Sequence, residues 1–260
     1  MSKPQERTRK RLGTIVGPAL VLVVAVAATI WFAVAQGAAQ PGSAGPTAGP
    51  QASQGGSQGT ASPSQGSDPA SLLARRIPGD PMALGKVDAP VVMVAYSEFQ
   101  CPFCGKFART TEKELVKRYV DTGVLRIEWR DFPYLGPESL TAAKAGRAAA
   151  AQGKFWAYHD ALFAHQPGVN TGKVTPAYLT GVARDLGLNV TEFTKAMDSP
   201  ATAQAIAKDF QEGQNIGVTG TPAFLINGEP IIGAQPLEVF TQVIDAKARA
   251  ASTAPSAGSS

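Results

Sequence analysis

Cysteine is almost missing from this chain: its 260 residues include two, Cys101 and Cys104, in a single Cys-x-x-Cys pair. No framework of structural disulfides can exist beside it. Histidine is as scarce. His159 and His165 are the only two, and the first lies about 54 residues past Cys104. Six apart on a helix, they would face different ways. A structural zinc site takes four ligands at short spacing, so the pair is not half of a zinc finger and no metal site is expected. An excess of charge is also absent from the body of the chain. The formal net charge of +4 comes from Lys3, Arg7, Arg9, Lys10 and Arg11 against Glu6. Taking these from the totals of 24 basic and 20 acidic residues leaves 19 of each from Leu12 onward. A neutral body excludes nucleic-acid binding, which needs a basic face.

Long apolar runs are missing except for one. Ile15–Ala35 carries no charge and is long enough to cross a bilayer core of about 30 Å. With basic residues ahead of it, it predicts a transmembrane signal-anchor whose start stays in the cytoplasm and whose remainder faces outward. A cleaved signal is the alternative, because Ala33-Val34-Ala35 resembles a small-residue cleavage site. From Gln36 to about Pro69 the chain is Gly, Ala, Ser, Gln, Pro and Thr, with no charge until Asp68. Such a composition cannot build a core and reads as a tether. The chain therefore divides into a basic cytoplasmic tail (1–11), a membrane anchor (12–35), a disordered linker (36–70), a folded domain (71–250) and a disordered tail (251–260).

The folded part is organised around VVMVAYSEFQCPFC, residues 91–104. Val91–Tyr96 is short, apolar and rich in β-branched residues, as a strand buried on both faces should be. Phe103, Phe107, Leu115, Val116, Tyr119 and Val120 then follow a helical stripe. Cys101 thus stands at a helix N-terminus, with Pro102 at the first helical position. Free amides and the positive end of the helix dipole favour a thiolate there. A redox couple is the expected role of the pair; a static disulfide is the rival.

Val124–Phe132 alternates, with Leu125, Ile127 and Trp129 on one side and Arg126, Glu128 and Arg130 on the other, and predicts a second strand. A block of helices follows over about 137–216, two of them opened by Thr175-Pro176 and Ser199-Pro200. Ala223–Ile226 and Glu229–Ile232 flank Asn227-Gly228 as a hairpin, and Pro236–Ala250 closes the domain as an amphipathic helix. The order βα-β, helices, ββα is an α/β thioredoxin fold, with a large helical insertion between its halves and one transmembrane helix before it.

Four segments carry a more specific likeness: LGKVDAPVVMVAYSEFQCPFC, RDFPYLG, AAAAQGKFWAYHDALF and IGVTGTPAFLINGEPIIGAQP. In their order and spacing the chain resembles the DsbA-like thiol:disulfide oxidoreductases, in their membrane-anchored form, over about Met82–Ala250. The resemblance implies that Cys101 is the nucleophile and Cys104 the resolving thiol. It implies that Thr221-Pro222 is the cis-proline element lying against the disulfide, and that Pro102 and Phe103 tune the couple. No cofactor is implied. The expected partners are exported protein thiols and, for reoxidation, a quinone-linked membrane protein of the DsbB or vitamin K epoxide reductase type. Two departures bear on function. The acidic residue usual six positions before the first cysteine is Ala95, leaving Glu98, a solvated carboxylate by default, as the candidate for proton handling. Phe103 stands where strongly oxidising relatives often carry histidine, and it cannot stabilise a thiolate by charge. Net oxidation is the expected direction; a reductase or isomerase, or a non-catalytic binding or chaperone module, are the alternatives.

Overall fold

A computed structural model of the chain describes residues 73–253. The expected anchor, the linker up to residue 70 and the tail beyond 253 lie outside the described residues. No helix among those described is long and apolar enough to cross a membrane.

The sheet has five strands among the described residues, in the order β1-β3-β2-β4-β5. At its centre β2 (Val91–Ser97) is buried along its whole length. It pairs in parallel with β3 (Leu125–Asp131), Val91 opposite Leu125 through Ser97 opposite Asp131. On its other side it pairs antiparallel with β4 (Ala223–Ile226), which forms the hairpin with β5 (Glu229–Ile232). The two-residue strand β1 (Ala83–Leu84) caps the β3 edge and is not foreshadowed by any alternating run. Its exit needs glycine: Gly85 has φ +89, and a Cβ there would lie 2.4 Å from the Leu125 carbonyl oxygen.

The helix after the cysteines is not continuous. It comprises α1 (Pro102–Arg109), α2 (Thr111–Leu115) and one π-helical turn over Val116–Val120. The break falls at Thr110, whose hydroxyl donates to the Lys106 carbonyl at 2.7 Å. A threonine that bonds back to its own helix in this way bends or interrupts it. The insertion is α3 (Pro137–Ala150), α4 (Phe155–Ala164), α5 (Pro176–Asp185), α6 (Val190–Met197) and α7 (Pro200–Asn215), and α8 (Leu237–Thr253) closes the domain. Thr175 and Ser199 cap α5 and α7, each followed by proline. The Ala-rich face of α3 packs with Phe99, Trp129, Phe155 and Phe163 into one core cluster. On the same face of the sheet as Trp129, Phe107, Phe224 and Phe240 form a second, and Val92, Val94, Tyr96 and Phe132 form a third on the other face.

The charged side of β3 is not solvated. Arg126, Glu128 and Arg130 are all buried, covered by residues 73–76 and by α7. Glu128 accepts from the Arg75 and Arg76 amides and from both neighbouring guanidinium groups, at 2.8–2.9 Å. Arg75 reaches Asp209 and Glu212 on α7, and Arg147 bridges Asp131 and Asp209. Burial alone would raise the Glu128 pKa, but these donors outweigh it and hold the carboxyl at about 2. A polar face becomes core when enough opposite charge folds over it.

Candidate active site

The site lies at the carboxyl end of β2, where the chain enters α1. Cys101 is the N-cap residue of that helix and Pro102 occupies its first turn. The Cys104 amide donates to Cys101 Sγ at 3.3 Å, and the Cys101 thiol donates to the Thr221 carbonyl at 3.2 Å. Thr221 arrives from the loop before β4, and its bond to Pro222 is cis. Both thiols are free.

The two sulfurs have opposite acidities. The Cys101 pKa falls from 9.0 to about 6, chiefly because the Cys104 thiol donates to it. Burial opposes that shift, while Thr221 and the Cys104 and Phe103 amides add to it. The Thr221 hydroxyl has no other partner among the described residues and is free to donate to a thiolate. Burial pushes the Cys104 thiol well up, and the Cys101 charge pushes it further.

Exposure does not separate them. A solvent-facing Cys101 is the natural expectation for a nucleophile, yet it is 2 % exposed and Cys104 1 %. The loop carrying Thr221 and Pro222 closes over the first sulfur. Phe103, which the helical stripe would bury, is instead 63 % exposed at the rim.

Glu98 also differs from its default. It is 2 % exposed, and neither carboxylate oxygen has a hydrogen-bond partner among the described residues. Burial raises its pKa to about 7. Ser139 and the Leu135 backbone, near but outside bonding geometry, offset part of this, and the negative charge of Cys101 adds to it. A carboxyl that titrates near neutrality and feels the Cys101 charge can hold or release a proton as the thiol changes state.

Three further side chains shape the site without a local sequence signal. Gln166, after α4, donates to the Phe99 and Cys101 carbonyls at 2.8 and 2.9 Å. It lies so close to α1 that a Cβ on Gly105 would meet its Oε1 at 2.3 Å. Gln100 donates to Ser139 Oγ at 2.8 Å and accepts from the Asn170 amide at 2.8 Å. Tyr134, just past β3, is pushed up in pKa by burial and next by the Cys101 charge, and it lies against Thr221. It lies in the RDFPYLG segment of the family likeness, which is the clue the sequence offered.

The thioredoxin family model matches residues 78–246, well over half of the chain. The probable disulfide bond formation protein D of Bacillus cereus is 30 % identical over 150 residues, covering 56 % of this chain and 69 % of that protein. Among solved structures, oxidised BdbD from Bacillus subtilis superposes with a TM-score of 0.61 at 25 % identity, over 66 % of this chain and 94 % of that one. Wolbachia pipientis alpha-DsbA1 superposes with a TM-score of 0.63 at 25 % identity, over 70 % and 97 %. The chain is a DsbA-like member of the thioredoxin family. Another relative is Na(+)/H(+) antiporter NhaA 1 of Salinispora arenicola, 35 % identical over 162 residues. The DsbA-like chain spans about a quarter (24 %) of that antiporter's length and 62 % of its own.

Proposed function

We propose that this chain is a thiol:disulfide oxidoreductase that oxidises exported protein thiols outside the cytoplasm, held to the membrane by residues 12–35. The observation that carries the reading is the opposed acidity of the two cysteines: Cys101 at about 6, Cys104 well above the ordinary value. In the oxidised enzyme a substrate thiolate attacks Cys101, forms a mixed disulfide and expels Cys104 as a thiolate, which takes up a proton. A second substrate thiol then attacks the substrate sulfur of that mixed disulfide and expels Cys101. The substrate gains one disulfide, and the enzyme takes both electrons as its dithiol. Cys101 leaves readily because its thiolate is stable. Cys104, buried and weakly acidic, needs a proton when it is released, and Glu98, raised to about 7 and sensing the Cys101 charge, is the candidate donor.

Thr221 and Pro222 form the wall beside Cys101, and the Thr221 backbone offers an extended substrate a pairing partner. Pro102 sets the helix start, and exposed Phe103 offers an apolar contact at the rim. Reoxidation falls to a quinone-linked membrane partner of the DsbB or vitamin K epoxide reductase type.

Stabilising the reduced form makes a couple oxidising, so direction is read from the potential. Equilibration of the full chain with a glutathione redox series should place the couple between DsbA, at about −120 mV, and thioredoxin, at about −270 mV. A value at or below that of thioredoxin overturns net oxidation in favour of a reductase. Cys104→Ala should accumulate mixed disulfides with exported proteins and Cys101→Ala should not. Equal trapping by both would refute the assigned roles.

A further inference from the structure

His159 has no part in the thiol site, and its environment is unusual. It sits in the middle of α4, 1 % exposed, walled by the rings of Phe99, Trp129, Phe155, Trp156 and Phe163. Its Nδ1 lies 2.9 Å from Asp160 Oδ1. That carboxylate fixes the imidazole proton on Nδ1 and leaves a lone pair on Nε2. Nε2 points at Glu112 Oε1, 3.8 Å away, and has no hydrogen-bond partner among the described residues. Glu112 comes from the first turn of α2 and is itself buried.

A buried nitrogen lone pair facing a buried carboxyl at 3.8 Å is neither a hydrogen bond, which needs about 3.2 Å or less, nor an apolar contact. The distance does suit two ligands of one metal ion, since two bonds of about 2.05 Å span at most about 4.1 Å. The candidate ligand atoms of Glu112, His159 and Asp160 all lie within 4.8 Å of one another. A surface pocket lined by Glu112, Trp156, Asp160 and Asp121 gives access and room for water ligands; Lys113 and Lys117 also line it. Those two ammonium groups oppose a cation, but their long stems let them swing into solvent while the three carboxylates stay.

We propose that Glu112 and His159 bind a zinc ion, with Asp160 orienting the imidazole and water completing the coordination. An imidazole with a carboxylate selects zinc over calcium or magnesium, which prefer oxygen alone. The ion would tie α2 of the thioredoxin framework to α4 of the insertion, independently of the redox state of the cysteines.

The test uses the full chain with Cys101 and Cys104 oxidised to their disulfide, so that no thiolate competes. Zinc chloride is titrated by calorimetry, and folding of each variant is checked by circular dichroism. One ion per chain should bind saturably, and Glu112→Gln and His159→Gln should each weaken binding at least tenfold. Glu112→Gln preserves shape at the less enclosed position, so it decides the matter if His159→Gln does not fold. His165→Gln should bind as the parent does. Absence of saturable binding, or equal affinity in Glu112→Gln, overturns the site.

Discussion

Removing the Cys104 sulfur probes the thiol site where its electrostatics are most specific. The largest influence holding Cys101 at about 6 is the hydrogen bond from the Cys104 thiol, so Cys104→Ala should send the Cys101 pKa upward toward the value of about 8.5 typical of a free thiol. At pH 7 a pKa of about 6 means roughly 90 % thiolate, against roughly 1 % at 9. Reactivity is a blunt readout of this difference. Intrinsic nucleophilicity falls with pKa, with a Brønsted coefficient of about 0.4–0.5, so a roughly ninetyfold gain in thiolate shrinks to a rate advantage of only about fourfold. The midpoint of the titration is the discriminating quantity, followed through the ultraviolet absorbance of the thiolate. The same shift stabilises the reduced enzyme at pH 7 by about 1.4 kcal/mol, or about 30 mV for a two-electron couple. A wild-type midpoint above about 8, or a midpoint unmoved in Cys104→Ala, would refute the reasoning.

Three other outcomes are expected. Glu98 keeps a proton in the native state that the unfolded chain loses above its ordinary 4.5, so its cost to stability grows as pH rises and reaches about 3 kcal/mol beyond pH 7. Glu98→Gln should therefore raise urea stability at pH 8 and leave it nearly unchanged at pH 4; an equal effect at both would count against the buried acid. Glu128 works in the opposite sense: its depressed pKa contributes stability above 4.5 that is lost as pH falls through about 2. Glu128→Gln should cost about 3–5 kcal/mol near neutrality, because it strands the buried Arg126 and Arg130, and a loss under about 1 kcal/mol would show that the lattice is not needed. Alanine in place of a helical glycine usually gains about 1 kcal/mol, but a Cβ on Gly146 would stand 2.8 Å from the Phe99 ring. Gly146→Ala should lower the melting temperature by an amount equivalent to about 1–3 kcal/mol, and a rise would show that the ring yields.

Much of the frame was legible because it is encoded locally. The β-branched run before the cysteines, the alternation of Leu125, Ile127 and Trp129, the Asn227-Gly228 turn and the Thr-Pro and Ser-Pro helix starts each depend on neighbours a few residues away. The observed elements match those expectations to within a residue or two, apart from a helical end that runs on to Thr253. What escaped was set in one case by a distant partner and in another by a local side-chain bond. The strand β1 is two residues long and exists only because β3 offers an edge. The π-helical turn and the break at Thr110 interrupt an apolar stripe that reads as unbroken.

The proposed reactive pair is legible in the sequence alone: two cysteines in the entire chain, spaced to meet, with a proline to start the helix beneath them. Its chemistry is not. The Cys101 thiol bonds to a carbonyl 120 residues away, and Gln166 holds its backbone from beyond α4. Glu98 and Glu128 are both glutamates in strand-like surroundings, yet one is raised to about 7 and the other lowered to about 2. The physical reason is that periodicity reports which way a side chain points, whereas acidity depends on which donors and charges the fold brings to meet it. Guanidinium groups and backbone amides converge on Glu128; Glu98 meets burial and the charge of a thiolate, which Ser139 and the Leu135 backbone offset only in part.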